Sequence, residues 1–182
     1  MPTLKEYPNA VIITTDDDVY YKPDWLRGLV DAYNVNPKYI YCYRASKIMI
    51  SNEFCRLEPK KDIQYQTATY LHQQTGVGGV LYPPGSLNGD TTDEELFMKL
   101  APTNDDLWLW FMGIRNGYKI SILQNNDFEL FYIGDSQRYS LSSINNKKDM
   151  LYFKQLEKLI DHYPDVFEAL KEEQTRMMKI DL

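Results

Sequence analysis

Asp16, Asp17 and Asp18 follow directly on the β-branched run Val11-Ile12-Ile13-Thr14-Thr15, so three carboxylates collect where a buried strand leaves its sheet. Two like charges about 4 Å apart repel by about 4 kcal/mol at an effective dielectric of about 20. A chain carries such charge cheaply when the acids are solvated or bind a cation, and a strand end favours the cation. A second acidic pair, Asp105-Asp106, stands behind Asn104 at the start of a later apolar pattern. Between the two clusters, Gly76-Val77-Gly78-Gly79-Val80-Leu81-Tyr82-Pro83-Pro84 makes a glycine-rich approach to a short strand that two prolines end. Hard cations such as magnesium and manganese prefer carboxylate oxygen and share their shell with substrate phosphates. With one cluster holding metal and the other handling protons, sugar transfer from a nucleotide diphosphate fits. The metal neutralises the leaving diphosphate and a carboxylate takes the proton of the attacking hydroxyl.

Each motif also has a plain structural reading. The first acids make a solvated turn with Asp24 capping the next helix, the second pair serves a helix start, and the glycines allow close backbone approach. The glycine segment lacks the third glycine and following helix of a dinucleotide fingerprint and the Gly-Lys-Ser/Thr of a P-loop. No glycine follows the acids where a calcium-binding EF-hand loop requires one.

The elements that must position these residues read as α/β. A short helical end precedes a strand at 10–15. Pro23-Asp24 then opens a helix with Trp25, Leu26, Leu29, Val30 and Tyr33 on one side, ending before Asn36-Pro37. A strand at 39–43 follows, and strand, helix, strand in this order predicts a parallel pairing. Residues 44–74 carry a weaker pattern of short β pieces near 48–50 and 63–71 around the charged stretch 58–62, which reads as a hairpin or insertion. A helix is expected at 93–100. A second, capped at Asn104, runs through Leu107, Trp108, Trp110, Phe111 and Ile114 to Asn116-Gly117. Strands are expected at 118–123 and 128–133, and helices at 148–163 and 164–178, the last with proline at its start. Open sheets of this kind collect ligands at strand ends.

Composition bounds the rest. The 182 residues suit one domain with a real core, and 43% hydrophobic with 25% charged residues is globular. The net charge of −6 argues against nucleic acid or an anionic membrane as the main partner. No apolar run reaches the length of a membrane span. Cys42 and Cys55 have no metal-ligand spacing and form no disulfide framework, which fits a reducing cytoplasm. The 15 tyrosines suit carbohydrate or peptide contact and ordinary packing equally.

Three segments together carry a more specific likeness: Thr14-Thr15-Asp16-Asp17-Asp18-Val19-Tyr20-Tyr21, the glycine segment 76–84, and Ala101-Pro102-Thr103-Asn104-Asp105-Asp106-Leu107-Trp108-Leu109-Trp110. In order and spacing they resemble bacterial, family-2-like glycosyltransferases of the GT-A fold, which build cell-surface polysaccharide or lipopolysaccharide. The likeness extends over nearly the whole chain, Asn36-Pro37 and Tyr43-Arg44-Ala45 included. It implies a partial GT-A fold: a central mixed, mostly parallel sheet flanked by helices, in a single domain with an α/β core over 1–135 and a C-terminal helical pair over 136–182.

The resemblance also implies roles. The acidic strand end corresponds to the DxD motif, with Asp18 and Asp16 as ligands of Mn2+ or Mg2+ at the nucleotide diphosphate and Asp17 between them. The second acidic pair corresponds to the acceptor side, with Asp106 as the base of an inverting transfer and Asp105 orienting the acceptor. Gly78 and Gly79 correspond to backbone contacts beside the donor sugar. The implied partners are a nucleotide-sugar donor and a saccharide acceptor. Trp108 and Trp110, two apart on a helix, cannot share one face, so at most one stacks on sugar. Many relatives complete the metal shell with a late histidine, but His162 sits in an amphipathic pattern that reads as surface or packing. Arg44 reads either as a phosphate contact or as the partner of an acid. Relatives carry an N-terminal β/α half that binds base and ribose. This chain starts near the acidic strand, which leaves two expectations: a fragment or a natural truncation, with self-association or a partner chain covering the sheet edge. The alternative function is a non-catalytic remnant that binds carbohydrate or protein.

Overall fold

The computed structural model describes residues 2–50, 55–58, 68–123, 131–134, 136 and 151–179. After a first helix, α1 (Pro2–Glu6), the chain enters β1 (Ile12–Thr14), passes the acidic turn into β2 (Val19–Tyr20), and forms α2 (Trp25–Val35). Next come β3 (Tyr39–Cys42), β4 (Ala45–Ile50), β5 (Cys55–Glu58) and β6 (His72–Gln74). A 3₁₀ turn over Gly76–Gly78 leads into β7 (Val80–Tyr82), and a second over Gly89–Thr92 leads into α3 (Glu94–Leu100). The remainder is α4 (Asp105–Arg115), β8 (Lys119–Ile122), β9 (Phe131–Tyr132), α5 (Leu151–His162) and α6 (Pro164–Met178).

The central sheet has the order β1-β7-β3-β8. Here the expected direct parallel pairing of the first two long strands is corrected. β1 and β3 run in the same direction, but β7 lies between them antiparallel to both, and only β3 with β8 forms a parallel pair. The reason lies in the intervening chain. The antiparallel group β5-β4-β6 carries the chain out and back, so it re-enters the sheet at the end where β1 and β3 finish. The sheet is mixed, as expected: among its described strands β1, β3 and β8 run in one direction and β7 runs against them, so two of the three neighbouring pairs are antiparallel.

Period-2 alternation sorts the side chains of β3 and β7 into two layers. Ile40, Cys42, Val80 and Tyr82 face a large buried cluster containing Leu107, Trp108, Phe111, Leu156, Leu159, Val166 and Leu170. Tyr41, Tyr43 and Leu81 face a smaller cluster with Trp25 and Leu29 of α2. The two C-terminal helices thus belong to the same core as α4. In α2, Trp25 and Leu29 are buried while Leu26 and Val30 remain 50% and 37% exposed, so the apolar side read from sequence is wider than the packed one.

α4 is buried on nearly every face, from Leu107 through Ile114. Its start is capped by the Asn104 side chain, which accepts from the Leu107 N–H at 3.0 Å. Gly113 lets it approach the sheet, because a β-carbon there would come within 2.8 Å of Ile40 Cδ1. Asp24 occupies the N-cap position of α2 without making a side-chain cap bond, so the capping reading of that residue does not hold. The strand expected at 63–71 falls partly outside the described residues; Thr69 makes one antiparallel bridge to Ile120, and the strand itself is His72–Gln74. The one expected at 128–133 is described only at Phe131–Tyr132.

Candidate functional site

Topology brings the chemistry together at one end of the sheet. β1 and β3 finish where β7 begins, and the registers Thr14↔Val80 and Cys42↔Val80 place the residues after both strands beside the turn before β7. The acidic turn, Arg44 and the glycine turn are therefore neighbours, and α4 delivers its first residues from the layer above.

Gly76 is the meeting point. Its N–H donates to Asp106 Oδ1 at 2.7 Å. A β-carbon built on Gly76 would sit 2.9 Å from that oxygen and 3.9 Å from Asp16 Oδ1. Both carboxylates thus close over the same glycine, which has no side chain to keep them apart. Gln74, fully buried, supports the arrangement from below, its Nε2 reaching the Asp106 carbonyl at 3.4 Å.

The electrostatics agree with crowding. Burial raises the Asp16 carboxyl above its ordinary range, and the charges of Asp18, Asp105 and Asp17 raise it further. The Asp105 charge therefore reaches the acidic turn. Tyr82, buried beneath, is pushed up first by burial and then by Asp106.

The glycine turn is held on its other side by two aromatic residues. The Tyr21 hydroxyl accepts from the Asp16 N–H at 2.8 Å and donates to the Val77 carbonyl at 3.2 Å. The Trp25 indole N–H donates to the Gly78 carbonyl at 2.9 Å. Gly78 and Gly79 are both buried. Within the turn, the Gly78 N–H donates to the Thr75 carbonyl and the Gly79 N–H to the Gly76 carbonyl. Gly79 has φ +85°, and a β-carbon on it would strike the Trp25 ring at 2.1 Å. One on Gly78 would meet the Arg44 stem at 2.9 Å, so the Arg44 side chain lies across the turn.

Trp108 and Trp110 are both 0% exposed, so of the two, expected to offer at most one ring to sugar, neither is open to it. Their indole N–H groups donate to the carbonyls of Thr91 and Tyr70, inside the core. From Leu107 to Ile114 the helix is covered on all sides and has no face left for ligand. His162 is exposed at the end of α5 and stacks edge-on against Tyr163, a surface position as read from sequence. His72, buried, bonds through Nδ1 with the Ile120 carbonyl, and burial depresses it to about 4.

Tyr21, Gly76 and Trp25 are the members of this site that sequence reasoning missed. Tyr21 closes the motif segment and Gly76 opens the glycine run, so the signal was present, but nothing in the spacing told which glycine would face a carboxylate.

Among the described residues, no group of three or more His, Cys, Asp or Glu side chains converges into a ready-made metal cage. The donor set is all carboxylate oxygen, and Asp16 is raised by burial first and by its acidic neighbours second. That fits a magnesium-type ion held by one or two carboxylates, with phosphate and water completing the shell. No family model, curated protein or solved structure matches the chain.

Proposed function

We propose that this chain is a metal-dependent, inverting glycosyltransferase of GT-A type, or the catalytic half of one, using a nucleotide-sugar donor and a saccharide hydroxyl. The observation that carries the reading is the closure of Asp16 and Asp106 over Gly76, which sets a cation-attracting acid turn beside a half-buried carboxylate from α4.

In this reading Asp18 and Asp16 hold Mn2+ or Mg2+, which when bound supplies positive charge to the diphosphate leaving group. Asp106 takes the proton of the acceptor hydroxyl. The hydroxyl oxygen forms its bond to the anomeric carbon from the side opposite the diphosphate. The carbon–oxygen bond to diphosphate breaks with its electron pair leaving on phosphate oxygen, so the anomeric configuration inverts. Asp106 is suited to the task because the Gly76 N–H holds one of its oxygens, fixing its rotamer, while an ionised carboxylate has about four acceptor positions in all. In the same reading Asp105, exposed in the first turn of α4, orients the acceptor. Gly78 and Gly79 shape the turn beside the donor sugar.

The test is calorimetric titration of the full chain with uridine, guanosine and cytidine diphosphates, with and without manganese. Heat that requires manganese and vanishes in Asp18→Ala supports the proposal. No heat with any of the three overturns it and favours a non-catalytic binding module.

A further inference from the structure

The acid turn and Asp106 belong to elements far apart in sequence, and the contact between them runs through the glycine turn. Tyr21 is the residue that spans this joint. Its hydroxyl accepts a hydrogen bond from the Asp16 N–H and donates one to the Val77 carbonyl, while the neighbouring Gly76 N–H donates to Asp106. The ring itself is anchored, lying 4.5 Å from the Trp25 ring at an angle of 41°. Trp25 in turn holds the next carbonyl of the turn, that of Gly78, and its own carbonyl is held by the Tyr43 hydroxyl. Two successive carbonyls, Val77 and Gly78, are therefore drawn toward the start of α2, and the Gly76 N–H is left facing α4. A hydroxyl that accepts and donates at once is polarised by both bonds.

We propose that Tyr21 is a positioning residue that sets the acid turn in register with Asp106, acting through the glycine turn. This rests on the function proposed above for that site, and it assigns Tyr21 no contact with substrate. Without the hydroxyl, the acid turn and the glycine turn lose their shared bond and Asp16 can drift relative to Asp106.

Tyr21→Phe removes the hydroxyl and keeps the ring stacked on Trp25. Tyr41→Phe is the matched control, since its hydroxyl donates to the Asn36 carbonyl at 2.7 Å beside α2, away from the acids. Amide hydrogen exchange read by NMR should quicken about tenfold at Asp16 and also at Gly76 in Tyr21→Phe, and at neither residue in Tyr41→Phe. Manganese-dependent binding of the nucleoside diphosphates should weaken about three- to tenfold in Tyr21→Phe alone, the range expected for losing one or two ordinary hydrogen bonds. Faster exchange at Asp16 only, or unchanged exchange at both, overturns the proposal, as does nucleotide binding equal to that of the unaltered chain. If the unaltered chain binds no nucleotide, the function proposed above falls, and exchange at Gly76 still decides the role of Tyr21.

Discussion

Replacing Gly76 by alanine should be costly for one reason only, the carboxylate of Asp106, and that can be isolated. The added methyl carbon would stand 2.9 Å from Asp106 Oδ1, and the next nearest atoms are Asp106 Cγ and Asp16 Oδ1, both at 3.9 Å. No backbone atom obstructs it, so Asp106 yields by rotating, and the 2.7 Å bond from the Gly76 N–H is lost. A hydrogen bond to a charged group contributes about 1.5–3 kcal/mol. Against this, alanine lowers the entropy of the unfolded chain by about 0.4–1 kcal/mol where the backbone permits it. Gly76 is not among the glycines with positive φ, so that gain applies. The net expectation for Gly76→Ala is a loss of about 1–2 kcal/mol, or about 2–8 °C in Tm for a chain of this size. In an Asp106→Ala background the same change should be neutral or stabilising, by up to about 1 kcal/mol. The sign reversal is read from a double-mutant cycle by urea denaturation, with a coupling of about 1.5–3 kcal/mol. Equal effects of Gly76→Ala in both backgrounds would refute the reasoning that this glycine exists to admit Asp106.

Asp106→Asn should keep the fold and manganese-dependent nucleotide binding while turnover falls by at least about 100-fold, measured with donor saturating; removal of a general base costs about that much or more. Trp108→Ala should cost about 3–5 kcal/mol in denaturant, as expected for emptying a fully buried aromatic site. Trp108→Phe should be milder and leave saccharide binding unchanged, since the indole faces the core. His72 is held neutral to about pH 4, whereas an unfolded histidine protonates near 6.5. Its folded value is depressed, so its contribution is intact above pH 6.5 and is lost as pH falls toward 4. The loss of up to about 3 kcal/mol should be smaller in His72→Gln, seen by thermal melts across that window. Glu173 is buried, and burial alone would raise its carboxyl; the bonds from Arg176, Lys119 and Thr69 outweigh this and hold it below its ordinary value. Glu173→Ala should destabilise by about 2 kcal/mol at neutral pH, because Thr69 loses a partner inside the protein.

Periodicity, caps and breakers settled much of this protein before any tertiary contact was known. The helix behind Pro23-Asp24, the helix capped at Asn104 and stopped at Asn116-Gly117, and the proline-opened helix at 164 are local events. The last two are decided by a side chain or a missing N–H within one turn of the boundary, whereas the first starts where expected without a side-chain cap. The acidic turn was legible for the same reason, since charge on a strand end is a feature of adjacent residues. What sequence could not decide was which strand lies beside which. Inserting β7 antiparallel between β1 and β3 depends on the path of residues 44–79, and sheet pairing is a long-range choice that spacing does not encode. That choice puts Gly76 between Asp16 and Asp106, assigns Gly78 and Gly79 to the Arg44 stem and the Trp25 ring, and sends both tryptophans of α4 into the core. A residue type states what a side chain can do; the packing of elements remote in sequence determines what it meets.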